Sequence, residues 1–159
     1  MKTEELAKQL LDRLKEQGKT LSTAESCTGG GIGHVLTAIP GSSAVYLGGV
    51  ISYTNGIKER LLGVPHEILE TVGAVSSETA KAMAEGVCKT IGADVGISVT
   101  GLAGPDSDGS GKPVGLVYIG ASQGQTTLVR EAVFSGDREA VRQQAVEAAL
   151  QLALHLSAV

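Results

Sequence analysis

The sequence predicts an α/β fold: a three-layer α/β/α sandwich around a mixed, mostly parallel sheet of about five strands. Three observations lead there. Short β-branched runs alternate with segments of helical periodicity along the chain. One pair of runs, residues 114–122 and 126–134, is separated only by Gln123-Gly124-Gln125, and 22 of the 159 residues are glycine, with one phenylalanine and no tryptophan. The alternation points to βα units with parallel strands, the hairpin forces one strand antiparallel, and the glycines permit close approach of helix to sheet. A chain of this length buries about 70% of its unfolded surface as one domain, so residues 1–159 are expected to form a single domain that needs no disulfide or metal to hold its core.

The elements follow in order. Thr3 is a candidate cap for a first helix in which Leu6, Leu10, Leu11 and Leu14 fall on one side, ending near Gly18. Residues 20–25 read as a strand, and residues 28–38 as a helix closed by Pro40-Gly41. "VYLGGVISY", residues 45–53, is strand-like, and Asn55 is placed to cap a helix reaching about Leu62. A helical turn at residues 66–70 precedes Ser76 and Ser77, caps for a helix whose Ala80, Met83, Ala84, Val87, Cys88 and Ile91 keep helical spacing. "ADVGISVTG" is a buried strand, "LAGPDSDGSGKP" a loop, and after the hairpin residues 135–137 cap a last helix with Val141, Ala145, Ala149 and Leu152 on one face. No internal repeat or linker interrupts this pattern.

Composition narrows the function classes. Thirteen basic and 17 acidic side chains give a formal charge of -4, which offers no basic face for nucleic acid, and no apolar run reaches the roughly 18 residues of a membrane span. Cys27 and Cys88 read as free thiols in a reducing, cytoplasmic compartment. No metal or cofactor is expected: His34, His66 and His155 are scattered, Leu36 stands where a GxGxxG needs its last glycine, and Asp106 and Pro113 break a P-loop around Gly111-Lys112. GxSxG is also absent, since Ser26 lies between Ala24 and Thr28.

Ligands of open α/β sheets gather at the carboxyl ends of the strands, and three such ends carry unusual polar groups. In "STAESCTGGG", a hydroxyl and small residues stand at a strand-to-helix turn, where the amides of Thr28, Gly29 and Gly30 could meet a developing oxyanion. The alternative is that Ser26 or Thr28 only caps the helix and the glycines only allow close packing. In "SYTNGIK", Lys58 falls in the third position of the helix capped by Asn55, where helix dipole and burial would both lower its pKa toward a general base, unless it is simply solvated. Thr100-Gly101 closes an apolar strand, either as part of a site or as a hydrogen-bonded strand end. Cys27 reads as a small buried side chain, and Arg138, near a helix start, could meet an anion.

Taken together, "TAESCTGG", "GGVISYTNGIK", "GAVSSETAKAMAEG", "ISVTGLAGP", "KPVGLVYIG" and "FSGDREAVRQQA" resemble, in order and spacing, the C-terminal domain family of the competence/damage-inducible protein CinA. The resemblance covers residues 20–150 and implies nicotinamide-nucleotide amidase activity: hydrolysis of nicotinamide mononucleotide to nicotinic acid mononucleotide and ammonia. It implies a Ser/Lys mechanism with Ser26 and Lys58 in those roles, supported by Tyr53 and Thr100, and it suggests self-association as a homo-oligomer. Arg138 or Arg142 is the expected contact for the substrate phosphate. The sequence departs from the family at "PDSDGSGKP", where relatives carry a glycine pair, so the rim of the site is expected to differ. The other readings are a non-catalytic nucleotide-binding module and an amidase for another small carboxamide.

Overall fold

A computed structural model describes residues 2–159. Its elements are α1 (Lys2–Gln17), β1 (Leu21–Glu25), α2 (Gly31–Thr37), β2 (Tyr46–Ile51), α3 (Asn55–Leu62), α4 (His66–Thr71), α5 (Ser77–Ile91), β3 (Val95–Gly101), β4 (Leu116–Gln123), β5 (Thr126–Val133) and α6 (Arg138–Ser157). One five-stranded sheet has the order β2-β1-β3-β4-β5. β1 pairs in parallel with β2 and β3, while β4 is antiparallel to both its neighbours. The sheet is therefore mixed, with β4 alone running against the rest, as the hairpin requires.

Helices cover both faces. Leu10, Leu14, Ile32, Leu36, Ala145 and Leu150 pack α1, α2 and α6 against one side of the sheet around Leu21, Ile97 and Ile119. On the other side Met83 and Val87 of α5 meet Leu62 of α3, Leu69 of α4 and Ala24 of β1. This is the three-layer sandwich the alternating pattern predicts. The apolar stripes of α1 and α5 are legible because each of these helices shows one face to the core and the other to solvent, whereas α6 buries residues around more of its circumference.

Several boundaries move, each for a local reason. α1 already includes Lys2 and Thr3, so Thr3 is not its cap. α2 begins at Gly31 rather than Thr28, because the Gly29 and Gly31 amides close tight turns onto the Ser26 and Thr28 carbonyls, with Gly29 at φ 58 and Gly30 at φ 101. The cap of α3 is Thr54, whose hydroxyl accepts from the Ile57 amide at 3.4 Å, in place of Asn55. The hairpin strands start at Leu116 and end at Val133, and Leu152 is only half-buried because α6 rolls Ala148 and Ala153 inward. Among the described residues no helix is long and apolar enough to cross a membrane.

The strand order creates a crevice. The chain leaves β1 toward β2 on one side, then crosses back to β3 on the other, so the loops after β1, β2 and β3 diverge around one point at their carboxyl ends.

Candidate active site

A cavity of about 320 Å³ opens at that point, near the lower end of the usual range of small-molecule pockets, about 300–1,000 Å³. Ser26 and Cys27 line it from the end of β1, Tyr53, Thr54, Asn55 and Lys58 from the segment after β2, and Thr100 to Gly104 from the end of β3. Asp106 to Asp108 and Arg138 form its rim.

Among the described residues Lys58 is the largest fully buried side chain, at 1% exposure. It follows four residues after the Thr54 cap and shares the inward face of α3 with Leu62, so helical geometry drives the amine inward. Its Nζ lies 3.1 Å from Ser26 Oγ and donates to the carbonyls of Ser52 (2.9 Å) and Tyr53 (3.4 Å). Among the described residues it forms no ion pair. Burial without a carboxylate penalises the charged ammonium, so the pKa falls to about 8, with Cys27 nearby pulling weakly upward.

Ser26 is 7% exposed, and its amide extends the β1–β3 ladder by donating to Val99 at 3.0 Å. Cys27 beside it is no competing nucleophile at neutral pH: burial above all raises its thiol to about 11, outweighing the pull of Arg142 and Lys58.

The turn after Ser26 differs from the arrangement read in the sequence. Thr28, Gly29 and Gly30 do not line the cavity, and the start of α2 is already occupied by the Glu25 side chain. Its carboxylate accepts from the Thr28 hydroxyl at 2.6 Å and from the amides of Ile32 (2.9 Å) and Gly33 (3.0 Å). The Gly29 amide is spent on the Ser26 carbonyl, whereas the Cys27 and Thr28 amides have no acceptor in another residue among those described. Arg142 lies behind the turn, outside the cavity, donating to the carbonyls of Cys27 (3.0 Å) and Thr28 (3.2 Å). A peptide unit holds its C=O and N–H in opposite directions. With the Cys27 carbonyl held by Arg142, the Thr28 amide faces away from that arginine.

Arg142 is thus a brace for the turn, and of the two arginines expected to meet an anion only Arg138 reaches the cavity. Arg138 donates to the Gly104 carbonyl at 2.6 Å and to the Tyr53 hydroxyl at 3.1 Å, leaving further guanidinium donors unspent. Tyr53 stands on the rim, 59% exposed. Thr100 is buried in the wall, its hydroxyl donating to the Ala74 carbonyl at 2.7 Å, and Gly101 beside it has no room for a side chain, since a Cβ would come 2.7 Å from Val117 Cγ2. Among the described residues no cluster of three His, Cys, Asp or Glu could hold a metal ion.

Sequence reasoning overlooked Glu25 and Ser52. The signal for Glu25 was present: an acid ends a buried strand just before a helix whose own cap position, Gly30, has no side chain to offer.

Residues 3–157 match the family model described as the CinA C-terminal domain. The chain belongs to the CinA C-terminal domain family. A putative competence-damage inducible protein of Desulforamulus reducens is 51% identical over 142 residues, covering 89% of this chain and 34% of that protein. A CinA-like protein of Synechococcus sp. (strain CC9311) is 56% identical over 114 residues, covering 72% of this chain and 27% of that protein. The chain thus spans about a third of the length of the curated relatives it matches. Among solved structures it is similar to the competence/damage inducible protein CihA from Agrobacterium tumefaciens, at 40% identity and TM-score 0.94, over 98% of this chain and 96% of that one. A CinA superfamily protein from Klebsiella pneumoniae 700603 superposes with TM-score 0.95 at 34% identity, over 98% of both chains.

Proposed function

We propose that this CinA-family domain is a nicotinamide-nucleotide amidase that works through a Ser26/Lys58 acyl-enzyme. The observation that carries the reading is the buried, unpaired amine of Lys58 at 3.1 Å from Ser26 Oγ in the wall of a cavity. A lysine without a counter-ion is costly to bury, and a neutral amine beside a hydroxyl is the arrangement that activates a serine.

In this mechanism neutral Lys58 takes the Ser26 proton as Oγ bonds to the carboxamide carbon. The C=O pair moves onto oxygen, where the amide of Cys27 at the cavity wall receives it, such a donor typically supporting about 10² to 10³ in rate. When the tetrahedral species collapses, the C–N bond breaks and Lys58 returns its proton to the leaving nitrogen, releasing ammonia. Water then adds to the ester with Lys58 again accepting a proton, the C–Oγ bond breaks, and the proton returns to Ser26. The product is the carboxylic acid. Tyr53 and Thr100 flank this path, and Arg138 meets the phosphate.

Mass spectrometry of enzyme quenched during turnover of nicotinamide mononucleotide tests the reading, with ammonia release measured in parallel on nicotinamide, the mononucleotide and NAD. An acyl adduct on Ser26 and preference for the mononucleotide are expected. Tight binding without ammonia release would identify a nucleotide-binding module instead, and an adduct on Cys27 would overturn the mechanism.

A further inference from the structure

We infer that Glu25 is a positioning residue for the nucleophile: its buried carboxylate staples the turn that carries Ser26 and sets the direction of the amides beside it. This rests on the reading of Ser26 as the nucleophile, but the mechanism above assigns Glu25 no part.

Glu25 is 2% exposed and makes no ion pair among the described residues. Its charge is met by the Ile32 and Gly33 amides and the Thr28 hydroxyl. The three donors converge on its two oxygens, two on Oε1 and one on Oε2, and so fix the orientation of the side chain. The staple reaches from residue 25 to residues 28, 32 and 33, so Ser26 and Cys27 lie inside a closed ring. The fit is close: a Cβ on Gly33 would stand 2.9 Å from the Tyr46 hydroxyl and 3.7 Å from Glu25 Oε2.

Two other links make this more than a helix cap. Arg142 holds the carbonyls of Cys27 and Thr28, so the turn is gripped through its carbonyls from behind, while Glu25 ties its Thr28 hydroxyl to the first amides of α2. The Glu25 main chain also reaches the base: its carbonyl accepts from the Ser52 amide at 2.8 Å, and the Ser52 carbonyl accepts from Lys58 Nζ at 2.9 Å. One residue therefore joins the nucleophile turn to the lysine. Because Glu25 already occupies the start of α2, the helix end is not the oxyanion site. That task falls to the Cys27 amide, whose aim depends on the staple.

Glu25→Gln keeps the length but turns an NH₂ toward donors, so at least one hydrogen bond is lost. A displacement of about 1 Å near a reacting centre typically costs about 10²-fold in rate. The test is the rate at which Ser26 is phosphorylated by diisopropyl fluorophosphate, followed by intact mass. In that step Oγ bonds to phosphorus, P–F breaks, fluoride leaves and the proton passes to Lys58. Thermal melting and the Kd for nicotinamide mononucleotide are measured alongside.

Glu25→Gln should label about 10²-fold more slowly than wild type with little change in Kd. Leu14→Ala, a core change in α1, should lower the melting temperature yet label folded protein at the wild-type rate. If Glu25→Gln does not fold, Thr28→Val, which removes one of the three bonds, should label about 10-fold more slowly. Labelling at the wild-type rate in either folded variant overturns the inference. Wild type that labels at Ser26 but releases no ammonia would sink the amidase reading and leave the Glu25 comparison to stand on its own rates. Wild type that does not label at all would sink both.

Discussion

Replacing Lys58 with methionine should change how stability depends on pH as well as abolish ammonia release. The lysine keeps its proton up to a pKa of 10.5 in the unfolded chain but only to about 8 in the fold. Between those values the unfolded chain binds more protons at this site, so the contribution of Lys58 to stability rises with pH through that window. Below it, the full cost of burying the amine is felt, about 3 kcal/mol, because each pH unit separating the two values is worth about 1.4 kcal/mol. Linkage then gives a gain of about 2.5 kcal/mol for wild type relative to Lys58→Met between about pH 7 and about pH 10. The carbonyls of Ser52 and Tyr53 that lose a donor in the variant cost the same at every pH, and the raised Cys88 and Tyr118 groups are common to both proteins, so the difference reports Lys58 together with its weak coupling to Cys27. Urea unfolding at several pH values measures it. In parallel, wild-type kcat/KM for nicotinamide mononucleotide should climb about tenfold per pH unit below about 8 and then level, because the free enzyme needs the neutral amine. A stability gap that stays constant with pH, or a rate still climbing at about pH 10, would mean that Lys58 is an ordinary ammonium, and the base assignment would fail.

The other predictions concern the surroundings of that pair. Ser26→Ala should bind nicotinamide mononucleotide with unchanged far-ultraviolet circular dichroism and release ammonia at least about 10³-fold more slowly, measured by a coupled ammonia assay. Iodoacetamide near neutral pH should leave activity intact, since burial holds both Cys27 and Cys88 at about 11 and the thiolate fraction is minute; stoichiometric inactivation would contradict those environments. Arg138→Ala should raise KM for the mononucleotide about 10-fold or more while barely changing the rate with the corresponding nucleoside; equal effects on both would remove the phosphate role. Gly86→Ala should destabilise the fold by about 3 kcal/mol in chemical denaturation, because its Cβ would stand only 1.9 Å from the Leu62 carbonyl oxygen.

Layer architecture was legible because it depends on periodicity, which the sequence states directly. The stripe Ala80, Met83, Ala84, Val87 on α5 and the hairpin around Gly124 leave little choice of fold. Lys58 and Ser26 were legible as chemistry, yet the distance between them was not, because it depends on how far α3 is pressed against α5. Boundaries failed where a single hydrogen bond decides them: Thr54 takes the cap that Asn55 also suits, and the Ser26 and Thr28 carbonyls capture amides that a helix starting at Thr28 would have needed. Arg142 was misread for a related reason. Two arginines one helical turn apart look alike in sequence and share a face of α6, but the offset of about 6 Å along its axis brings Arg138 to the cavity and Arg142 to the back of the turn.

Packing around α3 explains why an amine is forced into the interior at all. The helix is short, spanning Asn55–Leu62, and it is fixed at both ends: Thr54 caps its start, and near its finish Leu62 lies flush on Gly86 of α5. Lys58 and Leu62 are four residues apart and therefore share a face, so whatever holds Leu62 in the core also holds Lys58 inward. An apolar residue at position 58 would complete the stripe at lower cost. Rotating the helix by the roughly 100° per residue needed to expose the amine would pull Leu62 from among Val64, Leu69 and Met83, a loss of about 2 to 3 kcal/mol for one buried leucine, on top of the cap. That loss is comparable to the cost of keeping the amine uncharged. The balance explains how the fold can hold a weakly basic lysine against Ser26, and why the same contact that anchors α3 also maintains the distance of 3.1 Å between Lys58 Nζ and Ser26 Oγ.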